Sequence, residues 1–169
     1  MRSEPGEADL RPRPMAASEL QSTAKLWLEA WRDGHLGNVP DGLIKYRTER
    51  SFAERLSRMG DDLRVAGPEG APLGFCAIKG EELYQLFVSR AARGTGLAQI
   101  LLADGEARMA ANGVEMAFLD CSPGNDRAAA FYRKCGWTFR EETEWEVETE
   151  EGPFPMPAWI FEKRVAGGD

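Results

Sequence analysis

The chain has 169 residues, 43% of them hydrophobic, and a formal charge of −7. That length supplies one substantial core and is short for two, so a single domain is expected over residues 1–169. The acidic balance excludes a nucleic-acid surface, which needs a net basic face to neutralise phosphates, and mildly favours cationic acceptors.

In chain order, the start MRSEPGEADLRPRPM lacks the apolar core of a signal peptide, and no stretch is long and apolar enough to span a bilayer. A soluble cytoplasmic protein without membrane attachment is expected. Residues 1–8 read as frayed, and Leu10 to Met15 as an edge strand, since Pro12 and Pro14 cannot donate to a ladder on both sides. Ser18 and Gln21 have the spacing of a capping box, after which Leu20, Ala24, Trp27, Leu28 and Trp31 share one face. This predicts a helix to about Arg32. DGHLGNVPDG, residues 33–42, reads as a loop that holds His35, the only histidine. A second helix follows, with Leu43, Tyr46, Phe52, Leu56 and Met59 buried and a break near Ser51.

The period then changes from helical to alternating. Residues 63–66, 73–78 and 83–88 read as three strands of an antiparallel meander, the first two joined by the turn GPEGAP. ARGTGLAQ follows directly. Gly94 and Gly96 remove side chains that would hold an anion away from the backbone, and Leu97, Ile100 and Leu101 begin a helix that Asn112-Gly113 ends. The unpaired amides and positive dipole of that helix start, flanked by Arg90 and Arg93, make an anion cradle. A Walker loop would need a Lys-Ser/Thr pair that is missing, and the third glycine of a dinucleotide fingerprint would fall at Gln99.

MAFLDCS, residues 116–122, reads as a central strand, parallel to the 83–88 strand across the intervening helix. PGND opens a further helix that Gly136 ends. Of the seven glutamates from Arg140 to Glu151, Glu142, Glu144, Glu146 and Glu148 alternate with Thr143, Trp145, Val147 and Thr149, which predicts a strand with one solvated acidic face. GPFPMP reads as a loop and residues 158–163 as a last strand. Cys76, Cys121 and Cys135 cannot all pair in one chain and lack CxxC spacing, so neither a metal site nor a disulfide framework is expected.

The order of elements and two motifs, Arg93-Gly94-Thr95-Gly96-Leu97-Ala98 and NDRAAAFYRKCGW from Asn125 to Trp137, resemble the GNAT superfamily of N-acetyltransferases, which use acetyl-CoA. The resemblance covers residues 63–163, with the helices of 16–60 as the family's variable arm. It implies an α+β fold: a mixed, mostly antiparallel sheet of six to seven strands, about four helices, and a splay between the 83–88 and 116–122 strands that admits acetyl-CoA. Leu86, Phe87 and Val88 would pair their backbone with pantetheine, Arg93, Gly94, Thr95, Gly96, Leu97 and Ala98 would hold the pyrophosphate, and an amide near Val88 would stabilise the transition state. Asn125 would cap its helix, hold the cofactor, or both.

The resemblance also implies roles in catalysis. Tyr132 would be the general acid for the departing thiolate, whereas periodicity alone makes it a packing residue. Asp120 stands where ribosomal-protein acetyltransferases of the family carry a glutamate, and is the first candidate base. Glu82 resembles the base position of the histone-acetylating branch and is the second; a water chain is the third. Cys121, next to Asp120 on a strand, faces the other way and reads as core. His35 and Trp31 are weak candidates for acceptor contact, with Trp145 behind them. The expected reaction is direct acetyl transfer to the primary amine of a small molecule. The alternatives are a non-catalytic acyl-CoA-binding domain and a protein N-alpha or lysine acetyltransferase. The family also admits homodimers.

Overall fold

The computed structural model describes residues 10–166, so the expected fraying of residues 1–8 lies outside the described residues. Seven strands form one sheet in the order β1-β2-β3-β4-β5-β7-β6. They are β1 (Arg13–Pro14), β2 (Leu63–Ala66), β3 (Gly74–Lys79), β4 (Glu82–Val88), β5 (Met116–Cys121), β6 (Thr138–Val147) and β7 (Phe154–Arg164). Every neighbouring pair is antiparallel except β4 and β5. Five helices, α1 (Leu20–His35), α2 (Asp41–Ile44), α3 (Glu49–Ser57), α4 (Leu97–Ala111) and α5 (Asp126–Lys134), cover the sheet.

Two cores follow from the strand alternation. On one face α4 and α5 bury Leu97, Leu101, Leu102, Met109 and Ala129 against Cys76, Ile78, Leu83, Leu119 and Phe161. On the other, α1 and α3 bury Trp27, Trp31, Phe52 and Leu56 against Val65, Phe75 and Ala77. Trp27 stacks on Phe52 at 4.2 Å and meets Phe75 edge-on at 5.3 Å, which ties both arm helices to the sheet. Helix α4 approaches the sheet closely because Gly105 has no side chain: a Cβ there would come within 2.9 Å of the Cys76 sulfur and 3.0 Å of Leu83. Gly105→Val is therefore expected to destabilise the fold by about 1–3 kcal/mol, read as a lower midpoint in urea at unchanged slope.

Several sequence expectations change. The Ser18/Gln21 box does not form. Instead Glu19 is fully buried, accepts from the Ala16 amide at 3.0 Å and pairs with Arg13 at 2.7 Å, so a short 3₁₀ turn over Ala17–Glu19 precedes the helix. Helix α1 runs on through the expected loop to His35. The second helix is broken near Ser51 as expected, into α2 and α3, because Thr48 caps α3 by accepting from the Ser51 amide at 3.1 Å. The expected edge strand shrinks to two residues. GPFPMP is not a loop beyond Gly152 and Pro153: β7 begins at Phe154, and Pro155 and Pro157 stand opposite Glu146 and Glu144.

Two irregularities position the site. Between β4 and β5 only Glu82 and Phe118 are in register, so the strands diverge beyond that point. Strand β4 also carries a bulge opposite Ala77/Ile78, where Tyr84 is the extra residue. The bulge shifts the alternation: Leu83, Leu86 and Val88 face the α4 core, while Tyr84 and Phe87 pack towards α1 and Gln85 faces the same side.

Candidate functional site

The diverging strands open a pocket of about 580 Å³ bounded by Leu86, Phe87, Val88, the 93–99 turn, Asn125, Arg127, Phe131 and Tyr132. Its floor is the unpaired edge of β4. The Ser89 amide donates to Leu73 on the β3 side at 2.7 Å, so by strand alternation the Val88 amide points to the open edge. Gly94 and Gly96 adopt φ of +80° and +85°, and a Cβ added at either would meet no protein atom within 4 Å. Ligand space therefore reaches the backbone at both. The first intrahelical bond of α4 runs from Ile100 to Gly96, which leaves the amides of Ala98 and Gln99 unused by the helix.

Of the residues named from the sequence, Leu86, Phe87, Val88, Arg93, Gly94, Gly96, Leu97, Ala98, Asn125 and Tyr132 share this pocket. Thr95 does not line the pocket. Its hydroxyl donates to the Ala92 carbonyl at 2.5 Å and accepts from the Leu97 amide at 3.3 Å, so it braces the turn from behind. Arg93 lines the pocket but is also tied, with Arg90, to Asp33 of α1, at 3.2 and 2.8 Å. Asn125 caps α5 through its side-chain oxygen, which accepts from Ala128 at 3.3 Å, and lines the pocket as well.

Tyr132 both packs and faces the pocket. Its ring touches Phe131, Trp137 and Phe161, with centroids 5.4–6.4 Å away. Burial pushes its phenol above the ordinary tyrosine value, so it holds its proton at neutral pH. Cys121 is core, and burial raises its thiol to about 12, which removes the nucleophilic thiolate a covalent route would need.

On the other side of β5 the two candidate bases meet. Glu82, at the start of β4, and Asp120, on β5, bring their carboxyl groups side by side at the point of divergence. Burial, and then the charge of Asp120, raise Glu82 to about 7; burial also raises Asp120. Two close carboxyls cannot both ionise cheaply, so the pair shares a proton near neutrality.

Asp120 opens into a small cavity of about 50 Å³ with Trp27, Trp31, His35, Gln85 and Ser122. His35 is not an exposed loop residue. It ends α1, stacks on Trp31 at 5.0 Å, and its Nδ1 lies 3.0 Å from the Trp31 carbonyl. Burial lowers its pKa to about 4, so it is neutral at pH 7. Trp31 lines the cavity, whereas Trp145 packs edge-on against Phe118 at 5.8 Å outside it.

Sequence reading missed Arg47 and Arg55, which close this cavity on the arm side and also line a cleft of about 550 Å³ outside it. Arg55 donates to the Tyr84 hydroxyl at 2.8 Å, lies 3.6 Å from Glu148 and stacks over Trp27 at 4.5 Å. Arg47 donates to the Glu148 carbonyl at 2.7 Å; burial, then the charge of Arg55, lower it to about 10, still cationic at neutral pH. For Arg55 a signal was present, since it follows Phe52 by three residues and so falls on the apolar face of α3; Arg47 lies in the break between α2 and α3, where helical spacing gives none. Glu148 is likewise more than a solvated strand residue, since its carboxylate accepts from Tyr84 at 2.9 Å.

The sequence pattern of the Acetyltransferase (GNAT) family matches residues 16–137. No curated protein sequence matches the chain significantly. Among solved structures, a GCN5-related N-acetyltransferase from Rhodopseudomonas palustris superposes with a TM-score of 0.71 at 21% identity, over 97% of this chain and 98% of that one. The PaiA N-acetyltransferase of Thermoplasma acidophilum, solved with coenzyme A, gives 0.68 at 17% identity, over 91% and 98%. A phosphinothricin acetyltransferase of Sinorhizobium meliloti, solved with acetyl-CoA, gives 0.64 at 19%, over 92% and 88%. At these identities the structural likeness speaks for the fold, and the acceptor has to be read from this chain's own residues.

Proposed function

The chain belongs to the GNAT family of acetyltransferases, and on that premise we propose that it moves the acetyl group of acetyl-CoA directly to the primary amine of a small molecule, with Tyr132 as general acid. The observation that carries this reading is the placement of Tyr132 and the Glu82/Asp120 pair on opposite sides of the gap between β4 and β5. Acetyl-CoA supplies the activated thioester. The open amides of α4 and the bare turn at Gly94 and Gly96 suit its pyrophosphate, and the free edge of β4 suits an extended amide-bearing arm.

The residues then divide the labour. The carboxylate form of the Glu82/Asp120 pair takes a proton from the incoming ammonium, so the amine attacks with a free lone pair. The Val88 amide, aimed into the gap, donates to the carbonyl oxygen as negative charge develops there. A C–N bond forms and the C–S bond breaks; Tyr132 gives its proton to the departing thiolate, and the proton that the new amide nitrogen sheds restores the phenol. Neutral His35 and buried Cys121 need take no part.

A small-molecule acceptor is favoured by the confined cavity beside Asp120, which α1, α3 and β7 close on the arm side. Incubation with acetyl-CoA and a panel of amines tests the reading: N-acetyl product and free coenzyme A thiol should appear in equal amounts. Binding of acetyl-CoA with no turnover on any amine would identify a non-catalytic binding domain instead. Gly96→Ala should raise the KM for acetyl-CoA about tenfold, because a side chain is strained at φ +85° and intrudes on the cradle. Initial rates against acetyl-CoA concentration, with circular dichroism to show an unchanged fold, check this.

A further inference from the structure

Resting on the acetyltransferase reading above, we propose that the acceptor amine also carries an oxyanion, and that Arg47 and Arg55 bind it. Both arginines are 7% exposed, in a protein whose overall charge is −7. Buried guanidiniums are ordinarily paired through most of their donors, because stripping them of water without partners is costly. Here the pairing is incomplete. The Nε of Arg47 is buried without a hydrogen-bond partner, and that of Arg55 has only the Glu148 carboxylate, 3.6 Å away and beyond hydrogen-bond distance. Arg47 donates only to a backbone carbonyl and forms no ion pair among the described residues, while the single carboxylate of Glu148 serves Arg55 and Arg58 together.

The two guanidiniums are also fixed in orientation. Arg55 lies over Trp27 at 4.5 Å, and Arg47 lies 6.0 Å from the rings of Trp31 and Phe52. Rigid, unsaturated guanidinium forks at the boundary between the inner cavity and the outer cleft are built for a planar or tetrahedral oxyanion. Gln85 and Asp120 line the same cavity, the latter beside Glu82. An amine at Asp120 and an oxyanion at the arginines define a zwitterion. The intervening volume of about 50 Å³ accommodates only a few heavy atoms, so the two charged groups belong to a short, amino-acid-like skeleton. A polypeptide N-terminus has its carboxylate replaced by an amide at that distance and does not meet this requirement.

The test compares matched acceptors in the intact protein: free α-amino acids, the corresponding α-aminophosphonates, the decarboxylated amines, the amino acid amides, and short peptides with a free N-terminus. Amines bearing an oxyanion should show kcat/KM about 100-fold above their amide or decarboxylated counterparts, and the ratio of carboxylate to phosphonate rates tells which oxyanion the site prefers. Arg47→Gln should raise the acceptor KM about 10–100-fold for those substrates with acetyl-CoA affinity unchanged by calorimetry, and Arg55→Lys should lose less than Arg55→Gln. Preference for amides, decarboxylated amines or peptides, or equal losses on all acceptors in Arg47→Gln, overturns the oxyanion proposal and leaves the acetyltransferase reading standing. Acetyl-CoA binding without turnover on any amine overturns both.

Discussion

Tyr132→Phe should lower kcat by about 10²–10⁴-fold while the dissociation constant for acetyl-CoA stays within a factor of two or so of wild type. The phenol lines the pocket from α5, between the turn that suits the pyrophosphate and the gap where the thioester would lie. Phenylalanine keeps the contacts with Phe131, Trp137 and Phe161, so packing and fold are preserved and only the proton donor is lost. Burial raises the phenol's pKa, which keeps it protonated across the assay range, so a proton is available whenever the thiolate departs. The measurements are steady-state kinetics with the best acceptor and calorimetric titration of acetyl-CoA. A variant with full turnover would return Tyr132 to the role its helical position alone suggests, that of a packing residue.

The second large effect concerns the carboxyl pair. The apparent kcat/KM for the amine should rise with pH through about 7, as the shared proton leaves Glu82 and Asp120, and Asp120→Asn should cost about 10²-fold or more at pH 8. Because the two act as a unit, the double variant Glu82→Gln/Asp120→Asn should lose little beyond the worse single one. Stability moves in the other direction. The native pair keeps a proton that the unfolded chain, with Glu82 near 4.5, has already released, so its contribution is fully present below pH 4.5 and is lost as pH rises through about 7. Glu82→Gln should therefore melt higher than wild type at pH 8 and about equally at pH 4.5, even as it loses activity. A pH–rate profile unchanged in Glu82→Gln would assign deprotonation to a water chain instead.

The residues of the site differ in how much of their role is legible in the sequence. The turn at Gly94 and Gly96 is local chemistry: two glycines, a helix start and adjacent arginines stand within ten residues. Asp120 and Glu82 can each be named from a motif position, yet nothing in the sequence joins them, since 38 positions separate them and their contact depends on the single register pair of Glu82 with Phe118. Arg55 is legible in principle as a charge on the apolar stripe of α3, whereas Arg47, between α2 and α3, carries no such signal. Arg55 escapes notice because an arginine on a helix is usually solvated, and only the cavity behind α3 gives the stripe its meaning. His35 reads as a loop residue because the glycine, asparagine and proline that follow it suggest a helix already ended, whereas stacking on Trp31 carries one more turn.

By itself, then, the sequence determined the order of elements, the glycine turn before α4 and the faces of most strands, because these depend on local propensity and on periods of two and of three to four residues, while the fold class followed from the family resemblance. The tertiary structure alone decided the bulge at Tyr84, the shared proton of Glu82 and Asp120, and the burial of Arg47 and Arg55. Those features arise from register and from packing between segments distant in the chain. A charge becomes a base or an anion receptor only when other parts of the chain exclude water from around it.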